Sequence, residues 1–142
     1  AYNAPNLVIT EIMYNPPESG DDSLEFIELY NNSADTANLN GVHFSEGVEF
    51  TFPDVDLLPQ SYVLVAKDSL AMLGTFGATA YQWTSGGLSN GGEDIDILDL
   101  VDNVIDSLTY DDQAPWPTEP DGDGPSLTLC NPDLDNSMGE NW

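Results

Sequence analysis

Apolar and polar residues alternate along most of this chain, and the alternation repeats every second residue. Val8-Ile9-Thr10-Glu11-Ile12-Met13-Tyr14 reads as one strand, and Leu24-Glu25-Phe26-Ile27-Glu28-Leu29-Tyr30-Asn31 as the next. Side chains alternate across a strand, so Ile27 and Leu29 share one face while Phe26, Glu28 and Tyr30 share the other. The stretch between them, Asn15-Pro16-Pro17-Glu18-Ser19-Gly20-Asp21-Asp22, is turn chemistry and predicts an antiparallel pair. If Tyr14 faces Glu25, antiparallel counting puts Glu11 opposite Glu28.

Residues 39–45 read as a strand carrying Val42 and Phe44, followed by a tight turn at Glu46-Gly47 and a strand over 48–52. The most apolar run, 61–67, is expected to be central. Asp68-Ser69 is set to cap a single helical turn through Leu73, stopped by Gly74. A short strand over 78–83 leads into the glycine-rich loop 84–92, which is not a phosphate cradle because neither a lysine nor a helix follows. Residues 94–100 and 104–110 form a second hairpin turning at Val101-Asp102-Asn103, and 126–130 is a last short strand. The expectation is an all-β sandwich of eight or nine short antiparallel strands, with Ile12, Ile27, Leu29, Val63, Val65, Ile97 and Leu108 buried. The whole of 1–142 is taken as one domain, with a core over about 7–130 and an irregular extension over 131–142. The opening Ala1-Tyr2-Asn3-Ala4-Pro5 and the close at Trp142 read as the edges of a piece of a longer protein.

Charge changes this picture. The chain carries 26 acids and one base, Lys67, for a formal charge of −25. Hydrophobic content of 40% sets it apart from a disordered acidic tail. A polyanion lacks the Lys and Arg that displace counterions from nucleic acid, and it is repelled by anionic lipid. No apolar run of about 18 residues exists, so no membrane-spanning helix is expected. Nearly every carboxylate must be bare, bonded to backbone, or neutralised by a cation, and solubility in salty water is the plain explanation.

Catalytic chemistry finds few components. The one histidine that a hydrolytic triad could use, His43, lies between the apolar Val42 and Phe44 on an expected strand, and nothing marks an activated cysteine. His43 reads as a structural histidine and Cys130 as a small buried residue. Carboxylate pairs at glycosidase spacing arise by chance among 26 acids and carry no weight. The chain is therefore expected not to be an enzyme. Calcium is the best-suited cofactor for clustered carboxylates. Yet Asp121-Gly122-Asp123-Gly124 meets Pro125 at the fifth ligand position, and Asp133-Leu134-Asp135 has Met138 where a glycine is required. A calcium site is therefore expected from separate segments, with Glu11, Glu28, Asp111 and Asp112 as ligands; the competing arrangement pairs Lys67 with Glu28. Tyr81, Trp83 and Trp116 either form a platform for sugar rings or serve the core, with Trp116 as a loop staple between two prolines.

Thr10 to Pro16, Glu25 to Asn31, Leu39 to Ser45, Phe52-Pro53, Tyr62 to Asp68 and Gly87 to Glu93 together resemble the bacterial lamin tail domain. Val104 to Pro117 and Asn131-Pro132-Asp133-Leu134-Asp135 are similar to its long form. One departure is Val42-His43-Phe44, where the family commonly has a tryptophan. The resemblance implies an immunoglobulin-like β-sandwich without transferable catalytic residues. It also implies a bacterial, extracellular or cell-surface setting, as an accessory module of a larger protein. The expected function is a non-catalytic structural or interaction module whose partners are other domains of the parent or a cell-surface protein. The alternative is a carbohydrate-binding accessory module of a polysaccharide-degrading enzyme, with polysaccharide as partner. Eukaryotic relatives associate with chromatin, which a charge of −25 argues against here.

Overall fold

Strands account for nearly all the regular structure in the computed structural model, which describes residues 4–17 and 22–142. Part of the first expected turn, residues 18–21, lies outside the described residues, as does the start 1–3. The described residues contain β1 (Leu7–Met13), β2 (Phe26–Asn31), β3 (Ala37–Asn38), β4 (His43–Glu46), β5 (Asp56–Leu57) and β6 (Tyr62–Ala66). They continue through α1 (Ser69–Phe76), β7 (Tyr81–Gln82), β8 (Glu93–Leu98), β9 (Val104–Tyr110) and β10 (Leu127–Thr128). One five-stranded sheet runs β10-β1-β2-β6-β7, a three-stranded sheet runs β4-β8-β9, and β3 and β5 form a small ribbon.

The two main sheets enclose one core. Ile9, Ile12, Ile27, Leu29 and Val65 enter it from the first sheet, and Phe44, Ile95, Ile97, Leu108 and Tyr110 from the second. Each large aliphatic side chain buried this way contributes about 1.5–3 kcal/mol. Six of the seven expected core residues are buried; Val63 is half-buried and packs against the cluster.

Several local expectations are corrected. Among the described residues ten strands stand where eight or nine were expected, because β3 and β5, only two residues each, went unread. β6 and β7 pair in parallel, so the sheet is not purely antiparallel. Residues 48–52 do not form a regular strand, although Phe44 N–H bonds Phe50 O at 3.1 Å and Phe52 N–H bonds Val42 O at 2.8 Å. The helix runs through Gly74 and stops at Gly77, which takes φ 65° and donates its N–H to Leu73 O. Its N-cap is Asp68, whose Oδ1 accepts from Leu70 N–H and Ala71 N–H at 3.0 Å. Cys130 is exposed, because Leu127 and Leu129 turn inward and leave Thr128 and Cys130 outside.

The segment 131–142 is irregular but firmly attached. Asn136 is buried and donates from Nδ2 to Ile9 O at 3.1 Å and to Asp106 Oδ2 at 2.7 Å. The same Asp106 oxygen accepts Ile9 N–H at 2.7 Å, so one carboxylate of β9 ties the second sheet to the first. Trp142 lies 5.6 Å from Trp116, centroid to centroid, and donates Nε1–H to Asn136 O at 2.8 Å.

Candidate functional site

Register arranges the outer face of the five-stranded sheet in cross-strand rows. Met13, Phe26 and Ala66 form the first, and Met72 of α1 packs over it. Thr128, Glu11, Glu28 and Leu64 form the second. Val8, Tyr30 and Tyr62 form the third. Among the described residues, one short helix covers only one end of this face, and the second and third rows stay partly exposed. Tyr62 is 58% exposed, and its ring lies 4.7 Å from that of Tyr30 at 39°.

A bulge between Ile9 and Glu11 sets this geometry. The extra residue lets Ile9 and Ile12 both face the core while Val8 and Glu11 face outward. Glu11 then lies directly opposite Glu28. Thr10 Oγ1–H donates to Glu28 Oε1 at 2.9 Å, and Ser126 Oγ–H donates to Glu11 Oε1 at 2.5 Å. Burial pushes the Glu28 carboxyl above its usual range, and the facing Glu11 adds to that; the Thr10 hydroxyl opposes it. Beside Glu28 runs a groove of about 540 Å³ lined by Tyr62, Val63, Leu64 and residues 78–81.

The four carboxylates expected to share calcium divide between two places. Glu11 and Glu28 meet on the outer face. Asp111 and Asp112 follow β9 of the other sheet, where Asp111 Oδ1 accepts Gln113 N–H at 2.9 Å. Asp121, Asp112 and Asp111 lie near enough to act on inward-facing Tyr14, whose hydroxyl is pushed up to about 12 chiefly by burial. Among the described residues, no three His, Cys, Asp or Glu side chains form a group able to hold a metal ion.

Lys67 does not pair with Glu28, the arrangement weighed against a cation. Its Nζ lies 3.7 Å from Glu25 Oε2, at the start of the same stretch. Leu88 N–H also donates to that oxygen, at 3.3 Å. Burial dominates and pushes the Glu25 carboxyl up to about 7, against the pull of Leu88 N–H and Lys67. His43 is structural: its Nδ1 lies 3.0 Å from Gly41 O, and its Nε2 3.4 Å from Asp102.

Tyr81, Trp83 and Trp116 make no common platform. Trp83 and Trp116 are buried in the core, and Tyr81 packs on Phe50 and Phe52. Trp116 is the expected staple, held against Trp142. The outer-face aromatic pair, half-buried Tyr30 and exposed Tyr62, went unrecognised in the sequence. Its signal was available in principle: both residues alternate with core residues, and the β2–β6 register joins them.

A family model described as Lamin Tail Domain matches residues 1–112, more than half of the chain. No curated protein matches the chain. The chain belongs to the lamin tail domain family, an immunoglobulin-like, non-catalytic fold. Residues beyond the match still complete the core, through Trp116 and Leu127.

Proposed function

We propose that this domain is a non-catalytic interaction module of a larger secreted or cell-surface protein, and that the open half of its outer sheet face meets the partner. The observation that carries this is the uncovered Val8–Tyr30–Tyr62 row lying beside the opposed Glu11 and Glu28. Exposed aromatic surface and half-desolvated carboxylates both cost free energy in an isolated domain. A partner that covers the rings and engages the acids relieves both costs. Aromatic residues inside a polar rim also match the composition of protein interfaces.

Hydroxyl-radical footprinting of the isolated domain and of the full parent protein with its partner tests this. Oxidation of Tyr30 and Tyr62 should fall in the assembly while that of Leu70 on α1 stays constant. Equal oxidation of the tyrosines in both states rules out this face.

A second reading, carbohydrate binding in support of a polysaccharide-degrading enzyme, draws on the same stacked tyrosines. A neutral sugar is not repelled by a charge of −25, and flat rings suit its apolar faces.

A further inference from the structure

We infer that the groove between β6 and residues 78–81 takes an extended segment of a partner protein, with a lysine or arginine of that segment seated against Glu28 and Tyr62. This rests on the proposed use of the outer face and names what docks there.

The backbone argument comes first. β6 pairs with β2 along the whole of Tyr62–Ala66. On its other side, β7 pairs only with Val65 and Ala66. Among the described residues, no strand pairs with residues 62–64 on that side. The groove of about 540 Å³ opens there, between 62–64 and 78–81. A strand edge without a strand neighbour is a template for an added strand, with main-chain hydrogen bonds giving affinity and side-chain pockets giving selectivity.

The side-chain argument sets the charge of the occupant. Val63, Leu64, Ala78 and Ala80 make the lining largely apolar, and Glu28 is the one charged residue in it. Glu28 faces Glu11 across the strand pair, and its described hydrogen bond comes from a neutral hydroxyl, Thr10. The chain's single base, Lys67, is engaged with Glu25. Among the described residues no cationic group pairs with Glu28, so a partner can supply its counter-charge. Calcium is the weaker fit, because no third carboxylate joins Glu11 and Glu28 among the described residues. A guanidinium or ammonium needs only one carboxylate, and a tyrosine ring beside it adds a cation–π contact. The charge of −25 also speeds the approach of a basic segment.

The test uses isotope-labelled domain and three probes, followed by amide chemical-shift changes. The probes are the blocked peptide acetyl-Thr-Val-Lys-Val-Thr-amide, the same peptide with norleucine in place of lysine, and cellohexaose. The lysine peptide should shift the amides of 62–64 and 78–80 and bind about tenfold more tightly than the norleucine peptide. Glu28→Gln should remove that tenfold advantage. Tyr62→Ser should weaken the lysine peptide, and Asp94→Asn with Asp96→Asn on the other sheet should leave it unchanged. Glu28→Gln removes a like-charge pair, so loss of folding will not mask the result.

Equal binding of the two peptides, or an unchanged advantage in Glu28→Gln, overturns the cationic occupant. Shifts spread over every acidic surface overturn it as well, since they mark unspecific attraction. Cellohexaose shifting Tyr30 and Tyr62 while the peptides do nothing overturns it too, but leaves the outer face as the binding face. Failure of all three probes there, together with unchanged footprinting in the parent, sinks the face itself.

Discussion

Lys67 Nζ lies 3.7 Å from Glu25 Oε2, and the Glu25 side chain is only 3% exposed. The chain's single base thus serves an acid sunk in the fold, while acids at the surface face solvent without an arginine or a second lysine. The attraction does not make Glu25 a strong acid, because burial outweighs it.

Stability should rise as pH falls from neutrality towards about 4.5. Glu25 has a folded pKa of about 7 against an ordinary 4.5, so between those values the folded state holds more protons than the unfolded one. Its contribution is present below the ordinary value and lost as pH rises through the folded one. The shift is worth about 3 kcal/mol. Glu28 and Asp106 are also raised by burial and act in the same direction. Urea unfolding at a series of pH values measures this, and Glu25→Gln should flatten much of the slope.

Added salt should stabilise the domain. With 26 acids and one base, self-repulsion opposes the compact state, and the Debye length shortens from about 30 Å at 0.01 M to about 3 Å at 1 M. The melting temperature should climb with sodium chloride over that range. A flat curve means that the fold already compensates its charge.

Asn136→Ala should cost about 1–3 kcal/mol, because Ile9 O and Asp106 Oδ2 lose a donor where little water reaches. Gly139→Ala should destabilise as well, since a Cβ there comes 2.7 Å from Trp116 Cδ1 and 2.8 Å from Trp116 N. Chemical denaturation of both variants checks this. Unchanged midpoints would mean that the C-terminal segment adds nothing to the sandwich.

Asp99→Ala should loosen the tip of the β8–β9 hairpin. The buried Asp99 carboxylate accepts Val101 N–H and Asn103 N–H at 2.9 Å and the Asn103 amide at 3.1 Å. Losing these bonds should cost about 2 kcal/mol. Amide exchange at residues 101–103 should accelerate well before exchange at Ile95, which lies in the core.

Period-two alternation carries strand face information, and that much was legible in the chain itself. Ile12, Ile27, Leu29, Ile97 and Leu108 had to face inward together once strands formed, because transfer of apolar surface from water is local chemistry repeated at each position. Counting across the first hairpin likewise put Glu11 against Glu28, and the structure has that pair. What escaped depended on distant partners. β3 and β5, two residues each, have too little pattern to be read, and each exists because the other supplies its ladder, whereas β7 and β10 fall within the strands expected over 78–83 and 126–130. Gly74 sits inside α1 because one glycine costs a helix only about 1 kcal/mol, whereas Gly77 takes the left-handed backbone that ends it. Alternation puts Glu25 on the face of Ile27 and Glu28 on the opposite one, but the pairing of Lys67 with Glu25 needs the β2–β6 register and the loop at Leu88. The open row of Val8, Tyr30 and Tyr62 is likewise a product of assembly, since strands far apart in sequence bring it together and a short helix stops before covering it.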